Sequence, residues 1–329
     1  MGGLENSMTT HSFRNSIPAE ILALSHERDL LRRRGQYDRA DVLKRQIEEA
    51  GYLIRDNPRG AHLMTIPNVE VDGQLFRSAR HVPSLLDETD TCTFSVNILS
   101  RNSYEQTVRC VNSVLRFTGT TDIEIVLIDN ASQDGIDLWA EAFKYQEPRL
   151  RLIHITRTMG EAEARNIGMI QSRGRYILIL DSSVELTGDI FTPLMQTLED
   201  GSIGITGLRG LHTTDLRNFE VSQEAEGEVD VIDTLCMAFK RVLLKEAGLF
   251  DERYRFPYYM DVDFNFTVRD LGTTLVVTPN LPVTRHAPEA QLSEAEQLRL
   301  TKRNFYRFRE KWGERDDLLG DEENDNDDE

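Results

Sequence analysis

The chain predicts an α/β fold with a mostly parallel sheet flanked by helices, and three features carry that prediction. From Thr91 onward, short apolar runs alternate with amphipathic stretches. Strands alternating with helices in this way build a parallel, doubly wound sheet. The run Tyr176 to Leu180 is wholly apolar, which suits a strand buried on both faces. It stops at Asp181-Ser182-Ser183. A carboxylate where a buried parallel strand ends falls in the crevice where such sheets hold ligands, although Asp-Ser-Ser is also good turn chemistry.

Composition narrows the class. A chain of 329 residues has room for two domains, and a hydrophobic content of 39% is that of an ordinary globular core. No apolar run approaches the ~20 residues of a membrane span. The net charge is −18, and half of it lies between Glu314 and Glu329, where ten acidic residues face one arginine. Residues 314–329 are therefore expected to be a disordered acidic tail. The remaining body is only moderately acidic, which argues against a nucleic-acid-binding face. Cys92, Cys110 and Cys236 are scattered without metal-ligand spacing, as expected of reduced thiols in a cytoplasmic protein. Residues 1–16 are polar, lack an apolar h-region, and read as a disordered N-terminus without a signal peptide.

Taken in order, residues 17–57 read as a helical hairpin. Pro18 suits a first helical turn, Ile21, Leu24 and Leu31 fall near one face, and Gly35 breaks the pattern. Tyr37, Ala40, Leu43 and Ile47 then recur at helical intervals before Gly51. Residues 58–90 are punctuated by Pro67, Gly73 and Pro83 and read as a linker with short β pieces. The main domain is predicted over 91–313. Its strands are Phe94 to Leu99, Ile123 to Ile128, Leu150 to Ile155 and Tyr176 to Leu180, with helices between them. Right-handed crossovers place Ser100, Asp129 and Asp181 on one rim. Gly210 to Glu228, rich in Thr, Asn, Ser and Glu, reads as a mobile loop, and a last helix runs from Glu294 to Trp312.

Five motifs in order give this domain a family resemblance. They are Ser95-Val96-Asn97-Ile98-Leu99-Ser100-Arg101-Asn102, Ile128-Asp129-Asn130-Ala131-Ser132-Gln133-Asp134-Gly135, and Gly160-Glu161-Ala162-Glu163-Ala164-Arg165-Asn166-Ile167-Gly168. Ala247-Gly248-Leu249-Phe250-Asp251-Glu252 and Asp261-Val262-Asp263 complete the set. Together they resemble the catalytic domain of family 2 glycosyltransferases, which have the Rossmann-like GT-A fold. In the N-terminal region, Glu27 to Gly51 resembles the C-terminal hairpin of cysteinyl-tRNA synthetases and the UvrB/UvrC interaction hairpin. That likeness implies self-association, as a homodimer, or docking of a protein partner; a plain packing hairpin is the alternative.

The family resemblance implies transfer of a sugar from a UDP- or dTDP-sugar donor to a saccharide, lipid-linked or protein acceptor, with inversion, as in polysaccharide biosynthesis. It implies donor contacts at Ser100, Asn102, Asp129, Gly160, Arg165 and Asp181. Asp129 would accept the imide N–H of the base, and Arg165 would meet the diphosphate or sit in a structural ion pair. Asp181, Ser183 and His286 are the implied ligands of Mg²⁺ or Mn²⁺, although the usual Asp-x-Asp is Asp181-Ser182-Ser183 here. Glu185 could substitute for the missing carboxylate if its loop bends. Asp261 is the implied general base, or else a cap of the following helix. The alternative is a non-catalytic nucleotide-sugar-binding domain that works through its N-terminal hairpin.

Overall fold

A computed structural model describes residues 17–57, 60–65, 69–222, 227–254, 258–286 and 294–318. The expected disordered N-terminus and the acidic tail from residue 319 onward lie outside these residues. The chain divides into two compact units, residues 1–66 and 67–329.

In the first unit α1 (Ala19–Arg33) packs against α2 (Tyr37–Glu49), with Gly35 at a φ of 73° in the connection. That left-handed conformation carries no steric penalty for glycine. β1 (Tyr52–Asn57) and β2 (Gly60–Thr65) follow as an antiparallel hairpin. The boundary predicted at Asn57 thus falls at the end of β1, between two paired strands. Ile21, Ile47 and Ile54 share one small core with Ala61 and Leu63 packed on it, so both strands belong with the helices. Buried Arg28 is held by both oxygens of Asp56, at 2.8 and 3.0 Å.

The second unit opens with β3 (Val69–Val71), β4 (Gln74–Phe76), β5 (Cys92–Ser100), α3 (Tyr104–Phe117) and β6 (Ile123–Asn130). α4 (Ile136–Phe143), β7 (Leu150–Ile155), α5 (Glu161–Ile170), β8 (Gly174–Asp181), β9 (Val184–Leu186), α6 (Phe191–Glu199) and β10 (Ile203–Gly207) come next. Short strands β11 (Gly210–His212), β12 (Glu220–Val221), β13 (Gly227–Glu228) and β14 (Val231–Ile232) lead to β15 (Cys236–Lys240) and α7 (Leu244–Ala247). The unit closes with α8 (Met260–Asp270), β16 (Thr274–Val277), β17 (Val283–Arg285) and α9 (Glu294–Trp312).

Ten of these strands make one sheet in the order β13-β16-β10-β15-β8-β5-β6-β7-β3-β4. The centre, β8-β5-β6-β7, is parallel as expected. Antiparallel β15 is inserted between β8 and β10, and the edge beyond β7 is antiparallel too. Two segments differ from expectation. Part of the 58–90 stretch is an edge of the sheet, because Val69 and Val71 bury against Ile153 and Ile155. Within 210–228 the described residues include short strands, and β11 pairs with both β12 and β14.

The pleat of the central strands decides which side chains share a face. Ile125, Leu127, Ile98 and Leu152 bury in the cluster that includes α3 and α4 residues. Ile128, Val126, Ile177 and Ile179 bury on the other face, toward α5 and α8. Successive strand residues alternate between faces, so the same parity governs the polar residues at the strand ends.

Charge is also buried at the opposite, N-terminal end of these strands. Glu124 Oε1 accepts hydrogen bonds from Ser95 Oγ at 2.5 Å and the Arg173 N–H at 2.6 Å. Its Oε2 accepts from Arg151, whose guanidinium also reaches Asp72 and the Gln171 carbonyl. Gly174 runs beside this network, where a Cβ would lie 2.4 Å from the Ser95 backbone nitrogen. α9 is fastened by buried Asp263, which accepts from Trp312 Nε1 at 2.8 Å and Lys311 Nζ at 3.0 Å.

Candidate active site

The rim beyond the central strands is built by two loops stitched together. Asp129 Oδ1 accepts the Ser132 N–H, and Ser132 Oγ accepts the Asn102 N–H. Asn102 Oδ1 accepts the Gln133 N–H, while Asp134 accepts the N–H groups of Tyr104 and Ile136. The first turns of α3 and α4 are thereby satisfied by one side chain. Asn102 and Ala131 both have positive φ, 52° and 58°. Such conformations are costly for a non-glycine residue.

Of the rim residues named from the sequence, two face away from the rest. Ser100 pairs with Asp129 in the β5–β6 register, whereas Asp181 pairs with Leu99. Ser100 and Asp129 therefore point to the α3/α4 face, and Asp181 to the α5/α8 face. Ser100 is buried in a hydroxyl cluster with Thr107 at 2.9 Å and Ser103 at 3.3 Å. Asp129 is fully buried, with Oδ2 2.8 Å from His154 Nδ1. This hydrogen bond raises the His154 pKa above its usual value, against the lowering effect of burial. Asp129 as the direct acceptor of a base N–H is thus at odds with its burial, because the carboxylate is fully enclosed and each oxygen already has a partner within the protein.

The α5/α8 face carries the other groups. Asn130 Oδ1 accepts the Met159 N–H and its amide donates to the Met159 carbonyl, fixing the approach to Gly160. Arg165 is buried and ion-paired with Glu161 one turn earlier, at 3.0 Å. Asp181 ends β8, with Oδ1 accepting the Ser183 N–H at 2.9 Å and its hydroxyl at 2.5 Å. β17 pairs with β9, so the His286 N–H meets the Ser183 carbonyl. The His286 ring pairs with Glu185 at 2.7 Å.

Asp261 sits in the first turn of α8, below Tyr258 and Tyr259, which have φ of 79° and 69°. Consecutive left-handed aromatic residues are strained, and such strain gathers at functional sites. Asp261 keeps some solvent exposure, and its carboxyl accepts the Val262 N–H. Burial first, then the nearby Asp233 and Glu161 carboxylates, push it up to about 6. Asp263, the other acid of the motif, is committed to α9 as described. His154, Asn130, Glu161 and Asp233 were given no role from the sequence, although Asn130 and Glu161 stand within the quoted motifs and Asp233 is a carboxylate shortly before an apolar strand.

The implied divalent cation can be tested against these donors. Asp181 offers one carboxylate, half of it engaged by Ser183, while Glu185 and the His286 ring are hydrogen-bonded to each other. Among the described residues no three His, Cys, Asp or Glu side chains converge on a common point. The donor set does not amount to a protein-built metal cage, which for a hard cation needs several oxygens.

Fold and rim together define a GT-A domain. A solved structure of GalNAc-T7 with UDP, GalNAc and Mn²⁺ superposes with a TM-score of 0.60 at 18% identity, covering 70% of this chain and 50% of that one. The family model "Glycosyl transferase family 2" matches residues 95–260, about half of the chain, and the chain belongs to that family. Glycosyltransferase GlyG of Streptococcus pneumoniae is 32% identical over 106 residues, 32% of this chain and 35% of that protein. The succinoglycan biosynthesis protein ExoO of Rhizobium meliloti is 31% identical over 146 residues, 44% and 40%. The chain thus spans between a third and two fifths of the length of these curated relatives. The α1–α2 hairpin lies outside the family match. Among the described residues, no helix is long and apolar enough to cross a membrane.

Proposed function

We propose that this chain transfers a sugar from a UDP- or dTDP-sugar to a hydroxyl of a saccharide, lipid-linked or protein acceptor, with inversion. The observation that carries this reading is the setting of Asp261. A carboxyl pushed up to about 6 on a strained, partly open helix start is a suitable general base near neutral pH. Its carboxylate takes the acceptor hydroxyl's proton, the oxygen attacks the anomeric carbon, and the bond to the diphosphate breaks with its electron pair leaving on phosphate. Direct displacement inverts that carbon. The donor lies along the α5/α8 face, between Asp181, Gly160 and the Glu161–Arg165 pair. Asn102 and Asp129 serve it by holding the two rim loops, with Ser100 packed beneath them. Mg²⁺ or Mn²⁺ at the diphosphate would rest on Asp181 alone, because Ser183 and His286 are turned to other partners.

That solitary carboxylate is also the observation that favours a second reading, a nucleotide-sugar-binding domain without transfer that docks a protein or a second copy through α1–α2. Calorimetry with UDP, dTDP and GDP, with and without Mn²⁺, and assays of donor turnover separate the two. The transfer reading expects uridine or thymidine diphosphate to bind, with turnover lost ~10²–10⁴-fold in Asp261→Asn. Nucleotide binding without any turnover, together with a sedimenting mass that falls to the monomer on removing residues 1–66, would point to the second reading. Full turnover by Asp261→Asn would remove the base assignment.

A further inference from the structure

A buried clamp connects Asp261 to a second carboxylate. Asn265, fully buried on α8, accepts the Ile232 N–H at 2.9 Å. Its amide donates to the Ile232 carbonyl at 2.9 Å and to the Asp261 carbonyl at 2.7 Å. One side chain thus holds the backbone of β14 and that of Asp261 in fixed register. Asp233, the next residue after the clamped Ile232, is buried. One of its oxygens accepts the Leu235 N–H at 3.1 Å, and the other is ion-paired with Arg209. This arrangement orients a charge whose burial would otherwise be costly.

We propose that Asp233, fixed by Arg209 and the Asn265 clamp, is a positioning residue whose negative charge strengthens Asp261 as the base. The inference rests on the transfer reading only for what Asp261 does, since the charge relation is a property of the chain itself. The surroundings agree with it. Asp233 is the first charged neighbour to act on Asp261, and Glu161 at the start of α5 acts in the same sense. Among the described residues, Arg165 is ion-paired with Glu161 and Arg209 with Asp233, toward which Arg285 of β17 also acts. Asp263, on the same helix, is tied to Trp312 and Lys311.

The test labels the aspartate carboxyls of the full chain with ¹³C and follows the Asp261 resonance against pH, assigned by its loss in Asp261→Asn. Asp233→Asn is expected to lower the midpoint by about one pH unit, the scale of a nearby like charge. Arg209→Gln, which strips the counter-charge, is expected to raise it. Shifts of opposite sign support the proposal, because simple loosening of the site would move both variants the same way. An unmoved midpoint in Asp233→Asn, or shifts of one sign, overturns it. If Asp233→Asn does not fold, Arg209→Gln decides: a rise supports the proposal, and no change or a fall overturns it. Absence of turnover in the wild type would count against the transfer reading and leave this titration readable.

Discussion

The two ends of the central parallel strands both hold carboxylates, and they treat them in opposite ways. At the N-terminal end, Glu124 has both oxygens occupied by Ser95, Arg173 and Arg151, and the arginine is itself held by Asp72 and Gln171. At the C-terminal end, Asp181 is bound mainly by its own turn, and Asp261 faces the like charges of Asp233 and Glu161 with no ion-pair partner among the described residues. A buried carboxylate closed by arginine is a strut. One left beside like charges holds its proton more tightly and can exchange it near neutral pH. The residue type alone does not separate the two cases; the partners do.

Breaking the closed end should have the largest effect on stability. Glu124→Ala leaves Arg151 buried without its central partner, and loss of one member of a buried pair costs about 3–5 kcal/mol. Urea unfolding should show a destabilisation of that order, and a loss under about 1 kcal/mol would mean the network is not a strut.

The open end should respond with the opposite sign. The folded pKa of Asp261, about 6, lies above the ordinary carboxylate value. The stability linked to it is complete below pH ~4, the unfolded value, and is lost as pH rises through about 6. Asp261→Asn removes that loss. It should therefore stabilise the chain by about 1–3 kcal/mol at pH 7.5, discounted for partial exposure, with the gain vanishing near pH 4. Equal stability at both pH values would show that Asp261 is not perturbed.

The smallest expected effect lies in the loop between β6 and α4. Ala131→Gly relieves a side chain at a φ of 58° and should raise stability by about 0.5–1 kcal/mol in thermal unfolding. A lower midpoint would show that the Cβ contributes packing worth more than the strain.

Much of this was legible in the sequence, and the exceptions have one physical origin. Strand ends, the loop motifs and Asp261 could be read from local patterns, because turn chemistry and strand termination are local. The facing of Ser100 and Asp129 could not. A strand buried on both faces, such as Ile123–Asn130, is apolar at every position from Ile125 to Ile128 before its polar end, so the period of two that would reveal facing is absent there. The same blindness hid His154 and Asn130, whose roles depend on neighbouring strands. Ser183 was legible as a departure from Asp-x-Asp, but its hydroxyl bond to Asp181 was not. The β3–β4 hairpin was read as part of a linker because three-residue strands acquire their meaning only from the strand they pair with.

That hairpin also bears on how molecules of this chain avoid one another. β3 covers the open side of β7, whose paired residues run from Ile153 to Ile155, and β4 then closes the row with a short strand. A chain begun at Thr91, just ahead of the family-like motifs, would leave β7 with its backbone N–H and C=O groups unpaired along that edge. Such an edge is a template for the same edge of another molecule. The segment ahead of the glycosyltransferase motifs thus acts as a guard against sheet-to-sheet aggregation.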